Sequence, residues 1–484
     1  MQRRKKYLNL ELLNTIIMFS KETYMARRRA LVEKLKGQEG LALFIGNGDS
    51  PAQYRDNCYK FRQDSTWLYF FGIDEPGLAA TIDLESGEST LFGNDCDIDD
   101  IIWNGPTPSI ADHAASAGMD KSAPLKALES AVKGRKIHFV SQSRQANAAK
   151  IAALAGIVPQ DCFAQGKNPA PAASKALTRA IIELRLIKEA REIELIDQAC
   201  ILGQQMHTIA RESIALGVVE QDIVGRMEGY ALSKGWGVSF STILTQHGEI
   251  FHCHSHAQKL QEGRLLVIDA GLESNEHYAS DFTRTYPTGG RYTQKQKEIY
   301  NIVDECHNLA FELTKPGTSY RSVHIAVAER MLERLGELGL VKGNAAELAA
   351  QGFAGLFMPH GLGHNMGLDV HDMEDYGENA VGYDPDQSRS SQLGLGSLRM
   401  ARKLVPGNVI TNEPGIYFIP ALIEQWKAQG IGKDCICYDK LESYYDFGGI
   451  RLEDDILVTE TGARRLGGDR LPASVEEIEK AMNR

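Results

Sequence analysis

The sequence predicts two domains of different class, an α/β domain over residues 18–175 and an α+β domain over residues 176–484. Three observations carry this. At 484 residues the chain is too long for one ordinary core and long enough to bury two. In the first third, short apolar runs such as LALFIG and KIHFVS alternate with helical stretches, the habit of an α/β domain. Beyond the small, polar, proline-bearing segment GKNPAPAAS (166–174), helices and strands come in blocks instead, as around an antiparallel sheet.

The elements follow in chain order. MQRRKK imitates the start of a secretory signal, but the next stretch is interrupted by Asn9, Glu11 and Asn14 and offers no small-residue cleavage site. Residues 1–17 are therefore read as an extension without structure of its own. Met18 is a second possible start, and Ser20 the N-cap of the first helix. The α+β domain opens on a charged helix whose Ile193, Ile196 and Cys200 keep the three-then-four spacing of a buried stripe. Thr293 is expected to cap a helix carrying Ile299, Ile302, Cys306, Leu309 and Leu313, and KPGTS to break the chain before one carrying Val323, Val327, Met331 and Leu335. RLLVIDAG and DFTRTYP, joined by turn formers, are expected to pair as a hairpin. NVITNEPGIYF and GIRLEDDILVT read as further strands, the second continuous.

Composition excludes several classes of function. With 43% hydrophobic and 24% charged residues the chain reads as soluble and globular. A formal net charge of −11 argues against a nucleic-acid surface, which needs a basic face. No apolar run approaches the roughly 20 residues that span a bilayer. Eight cysteines occur without a CxxC pair, so neither a zinc knuckle nor a disulfide framework is signalled, and the reducing cytoplasm is the expected compartment.

The chemistry gathers in the last two-fifths. Asp269, Asp281, Glu413 and Glu453 lie in apolar or glycine-flanked runs, VIDAG, ASDFTRT, VITNEPGIY and GIRLEDDILVT. A buried carboxylate without a partner costs several kcal/mol in desolvation, so each calls for something positive. HGLGHNMG (360–367) adds His364, and its glycines allow close backbone approach. One imidazole among four carboxylates suits hard or borderline divalent ions, Mn, Co, Fe or Zn, over soft copper. His252, His254 and His256 alternate and on a strand would share a face, which makes a separate metal site there a weaker alternative. LGLGS (393–397), with neither a helix start nor a lysine after it, is read as a loop and not a phosphate cradle.

The segments VIDAG, SDFTRTYP, PHGLGHNMGLDVHD, NEPGIY and GIRLEDD, in that order, resemble the pita-bread metallopeptidases, specifically the proline-specific branch of aminopeptidase P and prolidase. FRQDSTWLYFFGIDEPG (61–77) is similar to the N-terminal domain of aminopeptidase P. The resemblance implies a pita-bread catalytic domain, two divalent cations with Mn2+ foremost, and Asp269, Asp281, His364, Glu413 and Glu453 as their ligands. It also implies that His252 and His371 act on the substrate side, that His360 and Tyr417 line the substrate site, and that the molecule is a homodimer or homotetramer. Arg451 has two readings, a salt bridge to a ligand carboxylate and an anchor for the site. Two segments are longer than the family pattern, 373–408 and 418–448, and are read as long loops that reshape the cleft mouth.

The expected reaction is hydrolysis of the bond before a proline in the second position of a peptide, by an Xaa-Pro aminopeptidase. Divalent ions can lower the pKa of water from 15.7 to about 7. Glu413 is the candidate to accept the nucleophile's proton, and His252 or His371 to stabilise the oxyanion or protonate the leaving nitrogen. A prolidase confined to dipeptides is the alternative. A metal-independent creatinase-like enzyme is disfavoured by the complete ligand set, a non-catalytic pita-bread binding protein by the acidic charge and the same set, and a carboxylate-bridged oxidase by the lack of paired Glu-x-x-His motifs.

Overall fold

The computed structural model describes residues 18–483, so the extension expected at 1–17 lies outside the described residues. The chain divides into two compact units: residues up to Leu184 with Asp375–Gly377, and Arg185–Glu374 with the residues from Glu378 onward.

The first unit is a mixed five-stranded sheet with helices around it. Its strands are β1 (Leu41–Ile45), β2 (Ala79–Asp83), β3 (Ser89–Gly93), β4 (Lys121–Pro124) and β5 (Ile137–His138), in the order β4-β3-β2-β1-β5. β1 pairs antiparallel with β2 and parallel with β5. Every side chain of β1 is buried, as an apolar run without alternation requires. Leu41, Leu43 and Ile45 meet Phe92, Phe139 and Ile151 in one core. Ser20 stands at the N-cap of helix Lys21–Lys34 as expected, although its side chain makes no capping hydrogen bond. That helix is held by two buried arginines, Arg27 donating to the Tyr69 carbonyl at 3.0 Å and Arg28 to the Phe70 carbonyl at 2.8 Å.

The second unit is α+β. Two helix pairs, Ala190–Ser213 with Glu220–Lys234 and Gln294–Leu313 with Tyr320–Glu337, pack on a set of small sheets. The strands are β6 (Gly237–Val238), β7 (Ile243–Thr245), β8 (Leu265–Ala270), β9 (Leu272–Glu273), β10 (Phe282–Pro287), β11 (Val409–Asn412), β12 (Gly415–Tyr417), β13 (Gly449–Arg451), β14 (Asp454–Val458) and β15 (Ala463–Arg465). They pair as β10-β8-β7, β11-β14-β15, β12-β13 and β6-β9. Both helix pairs turn through a glycine at φ 83, Gly217 and Gly317, a left-handed conformation that favours glycine. The chain therefore carries a structural repeat that residue identity hides. Thr293 caps its helix through a capping box with Gln296, and Ile299, Ile302 and Cys306 are buried on the predicted stripe. Among the described residues, no helix is long and apolar enough to cross a membrane.

Four expectations are corrected. GIRLEDDILVT is not one strand: it breaks at Leu452 and Glu453, because β13 pairs with β12 while β14 pairs with β11. The segment 418–448 is not a loop but carries helix Pro420–Gln429, started by a proline in its first turn and ended at left-handed Gly430. In the segment 373–408 the chain forms short helical turns, among them Glu378–Gly382 and Leu395–Ser397, the latter on the LGLGS run. FHCHSH is irregular, so its histidines do not share a strand face; His256 instead turns Nδ1 to the Leu244 carbonyl at 3.0 Å.

One buried side chain ties the sheets together. Arg284, on β10, donates to the Thr283 carbonyl at 2.9 Å, the Glu453 carbonyl at 2.8 Å, the Pro472 carbonyl at 3.0 Å and Asp454 Oδ1 at 2.7 Å. Asp454 also receives Arg465 Nε at 3.1 Å, and the charge of Arg284 above all holds it ionised far below the ordinary carboxylate range despite complete burial. Arg284→Met leaves the Glu453 carbonyl with only the longer bond from the Thr283 N–H, at 3.4 Å, and removes one cation from a buried pair. Equilibrium unfolding in urea is expected to show a loss of about 3–5 kcal/mol, the usual cost of breaking such a pair; a loss under about 1 kcal/mol contradicts this role.

Candidate active site

The site is built where β8, β10, β11 and the break between β13 and β14 meet. Asp269 faces Thr283 across the β8–β10 ladder. Asp281 immediately precedes β10, and by strand alternation it shares the face of Thr283. The two acids are thus on neighbouring strands, as expected, but offset along them. On its other edge Thr283 bridges to Glu453, and its hydroxyl donates to Glu453 Oε2 at 2.7 Å. A single threonine thus stands between two of the acids.

His364 and Glu413 come from the opposite wall. The loop 361–365 runs along β11, where Gly363 is required: a Cβ there would lie 2.1 Å from the Thr411 carbonyl oxygen. Thr411 Oγ1 accepts the His364 N–H at 3.0 Å, and Glu413 N–H donates to the Leu362 carbonyl at 2.9 Å. His364 Nδ1 donates to the Asn365 carbonyl at 3.1 Å. In the neutral ring Nε2 therefore carries the lone pair. That atom points at Asp281 Oδ2, 3.4 Å away, and Glu413 Oε1, 3.8 Å away.

The structure brings Asp281, His364 and Glu453 together, with one donor atom from each within 4.8 Å of the others. Asp269 reaches this group through Arg451, whose Nη2 pairs with Asp269 Oδ2. Burial raises the Asp281 and Glu453 carboxyls well above the ordinary range, and mutual repulsion with Asp269 and Glu413 adds to it. Glu413 is raised too, by burial first, with His364 and Arg451 partly offsetting it. A divalent cation fits this geometry on two grounds. A histidine lone pair faces carboxylate oxygens, and Asp281 Oδ1 is buried without a hydrogen-bond partner.

Two chains of contacts border these acids. On one side Asp269, Arg451, Tyr417 and His360 form a relay. Arg451 Nη1 donates to the Tyr417 hydroxyl at 2.7 Å, and that hydroxyl lies 2.9 Å from His360 Nε2. His360 Nδ1 is turned to the Gly361 carbonyl at 2.8 Å, so Nε2 accepts the tyrosine proton. Arg451 thus satisfies both of its sequence readings. Burial, and then the Arg451 charge, lower His360 to about 3, so its ring is neutral. Phe251 covers this relay, with its ring centroid 4.5 Å from that of Tyr417.

On the other side His371 stacks on His364 at 4.0 Å and 26°. His371 Nδ1 donates to Glu374 Oε2 at 2.9 Å, which leaves Nε2 as the free ring nitrogen. Burial and neighbouring His364 lower His371 to about 4. Arg399 also pairs with Glu374. Burial works against ionisation of Glu374, but the hydrogen bond from His371 and the charge of Arg399 outweigh it and hold the carboxyl at about 2. His252 is exposed, on the irregular loop, and its pKa is lowered by partial burial against the pull of Asp269.

Sequence reasoning missed Thr283, Arg284, Phe251, Glu374 and Arg399. Thr283 and Arg284 sit inside the quoted run SDFTRTYP but carry no ligand chemistry of their own. Glu374 follows His371 by one helical turn, a spacing that a search for histidine partners would find; Arg399 is placed only by the fold.

Comparison with known proteins follows the same lines. Residues 194–460 match the model of metallopeptidase family M24, and residues 24–137 match that of the aminopeptidase P N-terminal domain. The chain is 32% identical to Xaa-Pro aminopeptidase of Escherichia coli, over 96% of this chain and 98% of that protein. It is 29% identical to human Xaa-Pro dipeptidase, over 95% of this chain and 93% of that protein. Among solved structures it is similar to aminopeptidase P of E. coli with the inhibitor Pro-Leu, at 30% identity and a TM-score of 0.76 over 96% of this chain and 98% of that one. It is similar also to proline aminopeptidase P II of Yersinia pestis, at 28% identity and a TM-score of 0.77 over 96% of this chain and 100% of that one. The chain therefore belongs to metallopeptidase family M24, with an aminopeptidase P N-terminal domain ahead of a pita-bread catalytic domain.

Proposed function

We propose that this protein is a cytoplasmic Xaa-Pro aminopeptidase, releasing the first residue of peptides with proline in the second position. The observation that carries this is the convergence of Asp281, His364 and Glu453, whose donor atoms lie within 4.8 Å of one another and suit a cation between them. We read residues 18–175 as the N-terminal domain and 176–484 as the catalytic domain, and the assembly as a homodimer or homotetramer. Asp269, Asp281, His364, Glu413 and Glu453 would hold two divalent ions, with Mn2+ first among Mn2+, Co2+, Zn2+ and Fe2+ for so oxygen-rich a donor set. Bound there, such ions polarise water and the substrate carbonyl.

The chain's own groups do the rest. Glu413, whose carboxylate edges the acid group, accepts the proton of the attacking water. His371, with Nδ1 fixed by Glu374, presents Nε2 to carry a proton to the leaving prolyl nitrogen. His252 faces the substrate carbonyl from the open side. Tyr417 and His360, held by Arg451, line the substrate pocket, and Phe251 supplies an apolar wall beside them. A bond to proline is a tertiary amide, so recognition rests on ring shape and carbonyl polarity and not on a backbone N–H.

A second reading is an Xaa-Pro dipeptidase, favoured by Arg399. Its charge acts on His252, His360, His371 and Glu413, so a guanidinium stands beside the site. A dipeptide ends in a carboxylate next to the scissile bond, and a guanidinium is the matching receptor. Protein loaded with Mn2+ is expected to cleave both alanyl-proline and alanyl-prolyl-alanine. Cleavage confined to the dipeptide, and lost in Arg399→Ala, replaces the aminopeptidase reading with the dipeptidase one.

Glu453→Ala is expected to reduce activity by about a thousandfold or more, as removal of a whole metal position does, and to lower the bound metal measured by elemental analysis. Full activity in that variant overturns the metal-dependent mechanism.

Acidity gives an independent check. Asp281, Glu413 and Glu453 are raised in the folded chain, so folded protein holds protons there that unfolded protein has released. Such groups stabilise fully below the unfolded value, about 4, and lose that contribution as pH rises through the folded values. Mn2+ binding needs these carboxylates ionised, so it is expected to release protons, read in calorimetric titration as a binding heat that depends on the ionisation enthalpy of the buffer. Proton-neutral binding contradicts this.

A further inference from the structure

His371 is part of the resemblance described above, but the carboxylate behind it is not. Glu374 accepts the His371 Nδ1 hydrogen bond at 2.9 Å and pairs with Arg399 Nη1. The Glu374 side chain is 14% exposed and that of Arg399 34%, so the acid is tucked in while the guanidinium reaches outward. Glu378 approaches the same Arg399 nitrogen at 3.4 Å, but it is also engaged by Arg389 Nη2 at 3.0 Å. Glu374 is thus the main counter-charge of Arg399.

This geometry has a consequence for substrate choice. A guanidinium offers five N–H donors, so one carboxylate does not block access to it. What the carboxylate changes is net charge: a cation already neutralised attracts a second anion less. A substrate ending in a carboxylate beside the scissile bond draws on that attraction, whereas a longer peptide has a neutral amide there and does not. Resting on the Xaa-Pro peptidase reading, we propose that Glu374 is a specificity-determining positioning residue. By pairing with Arg399 while orienting His371, it weakens the preference for dipeptides and admits longer peptides. A purely structural role, joining the 371–374 segment to the 399 segment, would affect all substrates alike.

The test uses the full chain loaded with Mn2+, with alanyl-proline and alanyl-prolyl-alanine as substrates. Glu374→Gln removes the charge and keeps an oxygen for the His371 N–H. The ratio of kcat/KM for dipeptide over tripeptide is expected to rise about fivefold, chiefly through a lower dipeptide KM, as for the loss of one partly exposed ion pair. In an Arg399→Ala background the same substitution is expected to leave the ratio within about twofold, because the cation through which it acts is gone. Glu374→Ser gives a second reading of the ratio if the glutamine variant is not recovered, and is expected to lower kcat on both peptides as His371 loses its partner. A ratio within about twofold of the parent in either variant, or a rise that persists without Arg399, overturns the proposal. Failure of the unmodified protein to cleave either peptide removes the peptidase reading itself; cleavage with an unmoved ratio removes only the role given to Glu374.

Discussion

The constraint on which the catalytic unit depends is the burial of several carboxylates in one place. Asp281 and Glu453 lie within reach of a common ligand, Asp269 and Glu413 add to their repulsion, and all but the half-buried Glu413 are shielded from water. Such a group is unfavourable by itself, since desolvation and like-charge repulsion act in the same direction. The surrounding structure reads as the set of positive partners that makes it tolerable. Arg451 pairs with Asp269, and Arg284 ties the backbone of Glu453 to β10. Asp281 holds its place by donating its own N–H to Asp455 at 2.9 Å. The remaining imbalance is what a divalent cation relieves, so the affinity for metal and the strain of the metal-free pocket have one cause.

Around that centre the two flanking relays divide the work. The Asp269–Arg451–Tyr417–His360 relay is buried up to its half-buried end at His360, and each member is hydrogen-bonded to the next, which suits a wall that must keep its shape. The His364–His371–Glu374–Arg399 relay runs from the acid group toward solvent and ends in a partly exposed cation. That gradient from fixed to accessible places substrate selection on the second relay. The same fold can thus serve as aminopeptidase or dipeptidase according to how the charge at its outer end is balanced.

Much of the site was legible in the residues. Asp269, Asp281, His364, Glu413 and Glu453 stood out because ionisable groups inside apolar, glycine-flanked runs have no structural excuse, and Thr293 because helix starts are chemically local. The supports were not legible. Thr283 and Arg284 act through hydrogen bonds to residues far along the chain, and an arginine in a strand looks no different whether it faces solvent or a buried carbonyl. The histidines of FHCHSH suggested a strand face that does not exist, because alternation has meaning only where a partner strand enforces it. The helix at Pro420–Gln429 lies in a segment longer than the family pattern, where no motif marks it, although its proline start and Gly430 end stand in the sequence.

By itself the sequence determined the chemistry: which side chains can bind metal, that two domains of different class follow one another, and where helices begin. These depend on residue type and on spacings of a few positions, which the chain states directly. Only the tertiary structure decided how that chemistry is held. It split GIRLEDDILVT so that Arg451 ends β13 while Glu453 stands in the break, bridged to Thr283 of β10, set Asp269 and Asp281 in offset register, and joined Glu374 to Arg399. Those outcomes depend on which strands pair and which loops fold back, and strand partners are chosen by packing across the whole domain, beyond the range of any local pattern.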